Sequence, residues 1–193
     1  ENRLAQALSH RLSKCRLLMP SYHSQQNGVS FPSLCGCAVL PVRTGFPGPA
    51  PSAGDAEDIV DEALKAFRWN ILFKNFEVLG GADRALVYLT LWIQQCIAVA
   101  DQFQTLEEAR KSLESLAISD RIPNPGDQGF PLAALFTAST SAEENQGVKA
   151  YLKQLRQETV VRLLPALFPE GQRNKWWFQF SKKKFMNMVL QKP

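Results

Sequence analysis

Apolar residues recur at three- or four-residue intervals through most of this chain, and the polar residues between them mark where helices start and stop. Val60, Leu64, Phe67 and Ile71 form one stripe. Asp55, Glu57, Asp58, Asp61 and Glu62 place negative charge at the start of that stripe, where a helix dipole is positive. Gly80-Gly81 breaks the pattern, and Asp83 helps to start a second helix over residues 83–100. There Leu86, Val87, Leu89, Leu91, Trp92, Ile93 and Ile97 point in every direction, so the helix must be enclosed by protein. Thr105-Leu-Glu-Glu108 matches a capping box ahead of Leu106, Ala109, Leu113 and Leu116. A second box, Ser141-Ala-Glu-Glu144, opens a long helix with Val148, Leu152, Leu155, Thr159 and Leu163 on one face, stopped by Pro165. Asn174 caps a last helix carrying Trp177, Phe180, Phe185 and Met188.

Between these stripes the periodicity lapses. Residues 20–54 are rich in Pro, Gly and Ser, with one short apolar run, Cys37-Ala-Val-Leu40, that fits an edge strand closed by Pro41. Phe46-Pro-Gly-Pro-Ala-Pro51 cannot be helical, because each proline lacks an amide donor and restricts its predecessor. Ile122 to Pro131 is a turn-rich loop between the two helical halves. The expected architecture is all-α: a single multihelical domain of about five helices around one buried central helix, with an irregular N-terminal segment laid over it. At 193 residues and 45% hydrophobic side chains, the chain can bury a real core.

The chemistry that would make an enzyme is sparse. Of two histidines, His10 lies in a basic leader and His23 in a segment read as flexible, and the sequence offers neither an evident orienting carboxylate. Cys35-Gly-Cys37 has too few ligands for zinc and one residue too few for a thioredoxin-type motif. Cys96 reads as a small buried hydrophobe, and the four cysteines together as reduced cytosolic thiols. The acidic cluster lacks the glycine and spacing of a calcium loop, and no phosphate-binding glycine loop is present. We therefore expect no catalysis, no cofactor, no metal and no small-molecule substrate. The run Leu86 to Ala100 is too polar-flanked for a bilayer span, so membrane insertion is not expected either.

The net charge of +4 is unevenly spread. Lys175, Lys182, Lys183, Lys184 and Lys192 crowd the C-terminal end and interleave with Trp176, Trp177, Phe178 and Phe180. Three readings stand: aromatics as core with lysines as a solvated rim, a patch for an acidic protein partner, or an independent basic module binding nucleic acid or an anionic surface. Residues 1–18 carry Arg3, Arg11, Lys14 and Arg16 against Glu1, with Leu4, Leu8 and Leu12 four apart. That composition fits a mitochondrial presequence; a start-like Met19 also fits the leader to an extension of the gene model.

Met19-Pro-Ser-Tyr-His-Ser24 and Leu40-Pro-Val-Arg-Thr-Gly-Phe-Pro-Gly-Pro-Ala-Pro51 resemble the opening blocks of subunit 3 of the actin-related protein 2/3 complex. Asp58-Ile-Val-Asp-Glu-Ala63, Phe73-Lys-Asn-Phe-Glu77, Ala82-Asp-Arg84, Tyr88-Leu-Thr-Leu91 and Pro125-Gly-Asp-Gln-Gly-Phe-Pro-Leu132 are similar to later blocks of that family. So are Ala150-Tyr-Leu-Lys-Gln-Leu-Arg-Gln-Glu-Thr159, Lys175-Trp-Trp177 and Phe185-Met-Asn187. The resemblance covers nearly everything after residue 18; Gln25 to Cys37 departs from the family, as does the leader, so this resembles a diverged or N-terminally extended copy. It divides the chain into a leader, 1–18, and a helical domain, 19–193. It implies a non-catalytic subunit of a seven-protein assembly that nucleates branched actin filaments, seated against actin-related protein 3 and reaching the mother filament. Nucleic acid is then not expected as a partner. The implied location is the cytoplasm, at the actin cytoskeleton of lamellipodia and other cell projections, with the nucleus as a further site. Partner contacts are expected at Arg43, Phe46, Lys175, Trp176, Lys182, Lys183 and Lys184.

Overall fold

A computed structural model describes residues 21–190; the leader, Met19 and Lys192 lie outside the described residues. Five α-helices follow one another: α1 (Ile59–Asn70), α2 (Gly81–Ala100), α3 (Leu106–Ile118), α4 (Ala142–Leu167) and the single turn α5 (Lys175–Phe178). A two-stranded hairpin, β1 (Ser33–Leu34) and β2 (Cys37–Ala38), precedes them, with Ser33 opposite Ala38 and Leu34 opposite Cys37. The fold is thus mainly helical, as the periodicity predicts.

The second helix is the axis of the molecule. Leu86, Val87, Tyr88, Leu89, Leu91, Trp92, Ile93, Cys96 and Ile97 are all fully buried, because α1, α3, α4, α5 and β2 pack around it. It begins at Gly81, two residues earlier than the expected start. A side chain there would press on Ala38 of the hairpin at 3.1 Å, so this close approach needs a glycine.

A helix enclosed by its neighbours leaves little solvent for its polar residues: Thr90 bonds back to the Leu86 carbonyl of its own helix, and Asp83, Arg84 and Gln94 tie down neighbouring segments. Asp83 accepts from the Ser24 amide at 2.8 Å and the Leu79 amide at 3.0 Å, and lies 2.7 Å from His23 Nδ1. Arg84 donates to the carbonyls of Leu135 and Gly36. Gln94 accepts from the Phe185 amide at 2.6 Å and donates to the Met188 carbonyl at 3.0 Å. The N-terminal segment, the central loop and the C-terminal segment are therefore all anchored to one helix.

Two guanidinium groups on α4 join the remaining elements. Arg156 is buried, donating to the Ala117 carbonyl in the last turn of α3 at 2.9 Å and to the Tyr88 hydroxyl at 3.0 Å, with its head 5.9 Å from the Trp92 ring centre. The negative end of α3 thus receives a cation, in place of a paired carboxylate. Arg162 instead meets carboxylates: Asp58 at 2.7 Å, Asp61 at 2.8 Å and Glu158 at 2.7 Å. Asp58 is also the N-cap of α1, bonded to the amides of Val60 and Asp61, while Asp61 reaches back to the Asp58 amide. The acidic cluster is therefore a reciprocal cap and an ion network as well as a match to the dipole.

Three expectations need correction. Pro165 does not end the long helix, which runs on to Leu167. The proline sits in the last turn, so it removes one hydrogen bond, and the carbonyl left over belongs to half-exposed Val161, where water can reach it. The last helix is much shorter than expected: after Phe178 the chain turns, and Phe185–Asn187 form a 3-10 turn with Met186 at φ 51° and Asn187 at φ 57°. Helical backbone there would forgo the bonds from Gln94 and from the Phe73 carbonyl, which accepts the Met186 amide at 2.9 Å. The apolar run Cys37 to Leu40 forms strand only at Cys37–Ala38, since the Leu40 amide donates instead to the Tyr151 hydroxyl at 3.0 Å.

Both capping threonine and serine act as expected: Thr105 accepts from the Glu108 amide at 3.3 Å and Ser141 from the Glu144 amide at 3.1 Å. The glutamates do not complete the boxes. Glu144 accepts from the Thr140 amide and, at 2.7 Å, from the Cys35 amide, which fastens the hairpin to α4.

Leu91→Asp should lower stability by more than about 4 kcal/mol in urea unfolding, because the enclosed helix offers a charge neither water nor a partner. Arg162→Ala should cost about 3 kcal/mol by taking from buried Asp58 its closest cation and leaving only Arg43 Nε at 4.0 Å. Burial alone would raise the Asp61 carboxyl, but the Asp58 amide, Arg162 and Arg43 outweigh it and hold it below its ordinary value. A depressed carboxyl stabilises the fold above its unfolded pKa of about 4 and loses that effect as pH falls through the lower folded value. The gap between parent and Arg162→Ala should therefore narrow in acid unfolding series below about pH 4.

Candidate docking surface

The structure separates the expected contact residues into two places, and no hydrogen bond or ion pair among the described residues joins them. The first is built on the extended segment after Leu40. Gln154, buried on α4, donates to the Phe46 carbonyl at 2.9 Å and accepts from the Ala50 amide at 3.0 Å, clamping the proline-rich stretch across the helix. Gly48 lies so close beneath that a side chain would meet Gln154 Oε1 at 2.3 Å. Phe46 is thereby fixed as one wall of a groove of about 420 Å³ between α3 and α4, whose other apolar walls are Ala117, Ile118, Val160 and Val161. Ile118 and Val161 are each half-exposed.

Arg43 stands beside Phe46 in sequence but is not a free contact. Its guanidinium donates to Asp61 at 2.6 Å, its amide to Asp58 at 2.8 Å, and its carbonyl accepts from Arg162. Its charge is used within the chain, closing the carboxylate network that Arg162 begins.

The second place is the C-terminal segment. Asn174 caps α5 by accepting from the Trp176 amide at 3.1 Å and donates to the Ala166 carbonyl at 3.0 Å. Arg173 bonds the Phe103 carbonyl and Asp101, with its head 4.0 Å from the Phe178 ring centre. That turn drives Trp177 and Phe178 inward, Trp177 stacking 5.7 Å from Phe67, and turns Trp176 outward, where it is 62% exposed. Phe185 is buried as well, so most of the aromatics are core and the lysines a rim. Lys175, Lys182, Lys183 and Lys184 are exposed and form no ion pair among the described residues; Lys175 Nζ lies 5.5 Å from the Trp176 ring centre. Rim and partner patch are compatible: the inner aromatics hold the turn that presents the outer tryptophan and the cations.

The chemistry of the other candidates is structural. His23 does have an orienting carboxylate, contrary to expectation: Asp83 lies on Nδ1 and Ser21 Oγ 3.0 Å from Nε2. This Ser–His–Asp order has the sequence of partners seen in a triad, but Asp83 simultaneously receives two backbone amides and acts as the clasp of the N-terminal segment. Burial pushes the Cys37 thiol up to about 12 and the Cys96 thiol well above its usual range, so both stay protonated and unreactive at neutral pH. No group of three or more His, Cys, Asp or Glu among the described residues could hold a metal ion. None of the described helices is long and apolar enough to cross a membrane.

Sequence reasoning missed Trp69 and Leu72, which are 58% and 60% exposed. For Trp69 a signal was available: it lies off the Val60–Leu64–Phe67–Ile71 stripe, one turn on from exposed Lys65.

Residues 19–190 match the family model P21-Arc, described as the ARP2/3 complex ARPC3 (21 kDa) subunit. An Arabidopsis thaliana actin-related protein 2/3 complex subunit 3 is 42% identical over 174 residues, covering 88% of this chain and 98% of the relative. The subunit 3 of Schizosaccharomyces pombe is 39% identical, covering 89% of this chain and all of the relative, and that of Dictyostelium discoideum is 41% identical over 88% and 99%. With such coverage at both ends of each alignment, and with its matched blocks occupying α1, α2, the central loop, α4 and the C-terminal turn, the chain belongs to the actin-related protein 2/3 complex subunit 3 family.

Proposed function

We propose that this chain is a non-catalytic subunit of the actin-related protein 2/3 complex that supports nucleation of branched actin filaments. It acts by shape and affinity, holding the actin-related subunits in place and contacting the mother filament, with actin-related protein 3 as its principal neighbour. Its site of action is the cytoplasmic actin cytoskeleton, including lamellipodia. Residues 19–193 are the unit that assembles. The carrying observation is the family match over residues 19–190. Its physical support is the way the ionisable groups are used: Asp58, Asp61, Asp83, Arg156 and Arg162 are all committed to holding helices and segments together, which leaves a docking surface rather than reactive groups.

The lysine-bearing C-terminal segment is the favoured place of contact with an acidic face of a neighbour. Four cations that form no ion pair among the described residues keep their charge available, and exposed Trp176, beside Lys175, adds apolar area that becomes buried on association.

Native pull-down of the tagged full chain, and of residues 19–193, should recover actin-related protein 3 and the other subunits in near-equal amounts. Recovery of the chain alone would overturn the proposal. The triple change Lys182→Glu, Lys183→Glu, Lys184→Glu should shift folding stability by no more than about 0.5 kcal/mol per site, since all three positions are exposed, while reducing recovery of the partners about tenfold or more.

A further inference from the structure

Where the N-terminal segment crosses α1, at the margin of the helix's buried face, lies a cleft of about 320 Å³ lined by Tyr22, Gln25, Glu57, Glu62, Lys65, Ala66 and Trp69. Glu62, Lys65 or Ala66, and Trp69 fall at successive helical turns, so the helix itself lays a carboxylate, a cation and an indole along one edge. The N-terminal segment closes the other edge with the Tyr22 ring.

Three observations define what the cleft can accept. Trp69 is 58% exposed, so much of its indole is open to a ligand in the cleft. The charge of the lining is negative: Glu57 and Glu62 stand against one cation, Lys65. Glu62 is buried and accepts from the Tyr22 hydroxyl at 2.9 Å, the Ser24 hydroxyl at 2.9 Å and the Gln25 amide at 2.8 Å, so its charge is fixed beneath the cleft by neutral donors. Burial and then the Glu62 bond push the Tyr22 hydroxyl up to about 12, so it stays a neutral aromatic wall at physiological pH.

Glu57 and Lys65 do pair, at 2.7 Å, but with side chains 54% and 69% exposed. Such a surface pair is worth little and yields readily to a competing cation. An exposed indole at one end of a cleft and a carboxylate at the other suit the stem and head of a long cationic side chain, the stem packing on the ring and the alkylammonium or guanidinium group reaching the carboxylate through a charge-assisted hydrogen bond.

We infer that this cleft receives an arginine or lysine side chain presented by a neighbouring protein, laid along the cleft between Trp69 and Glu57 over the negative floor set by Glu62. None of its lining residues belongs to the C-terminal lysine segment, so the chain offers an acidic-aromatic socket as well as a basic patch. That a partner protein supplies the cation rests on the reading of the chain as a docking subunit; the affinity of the cleft for a cation does not, and can be measured on the chain alone.

The full chain, isotope-labelled at its indoles and with the Trp69 resonance assigned through Trp69→Phe, is titrated at low salt with a capped Gly-Arg-Gly tripeptide. The Trp69 resonance should shift saturably with a dissociation constant on the order of tens of millimolar, roughly what one cation–π contact and one exposed ion pair supply. The citrulline tripeptide, equal in shape but uncharged, should give no such shift. Glu57→Gln should weaken the arginine response about threefold or more, and high salt should suppress it. Residues 19–193 should behave as the full chain does. The inference fails if no saturable shift appears, if citrulline matches arginine, or if the response emerges only after residues 1–18 are removed. That last result would assign the cleft to the chain's own basic leader. Because no partner subunit takes part, failure here is distinct from failure of the pull-down.

Discussion

Burying one helix on every side is the constraint from which the rest of this structure follows. Nine large apolar or thiol side chains of α2, from Leu86 to Ile97, have no solvent contact, and each gains on the order of 1–3 kcal/mol by leaving water. That gain exists only if neighbours surround the helix completely, and four helices and a hairpin are recruited to do so. The buried polar groups that remain on α2 must bond protein. Asp83, Arg84 and Gln94 do this by holding three segments that lack regular structure of their own, which turns a liability of burial into the means of ordering the irregular parts.

The same logic separates the two arginines of α4. Arg156 is deeply buried and finds carbonyl and hydroxyl acceptors, so the helix end of α3 supplies the negative potential that a carboxylate would otherwise provide. Arg162 is nearer the surface and gathers three carboxylates. Six residues apart on one helix, they connect it to α2 and α3 on one side and to α1 and the extended segment at Arg43 on the other. Breaking either leaves buried polar groups unsatisfied in two elements at once, which ties the stability of the helices to one another.

With the interior so committed, function falls to the outside. The groups that sequence inspection would suspect of chemistry are spent on structure: His23 in a clasp, Cys37 and Cys96 as protonated core thiols, the acidic cluster in a cap and ion network. What is left over is a set of features at the surface, namely lysines that form no ion pair among the described residues, the exposed Trp176 and Trp69, and Phe46 in a groove between α3 and α4. These are the side chains whose charge or apolar area the fold itself does not use.

The helices, their caps at Thr105, Ser141 and Asn174, and the enclosure of α2 were legible in the sequence, because a helix is specified by contacts three and four residues apart that periodicity records directly. So was the family, through blocks of residues in order. Tertiary structure alone decided that His23 meets Asp83 sixty residues away, that Arg43 is spoken for by Asp58 and Asp61, that the last helix stops after one turn, and that Pro165 is tolerated. Each of these depends on which distant backbone or side-chain group is near enough to form a bond. Proximity of that kind is set by the packing of whole elements, a quantity that no local spacing of residues encodes.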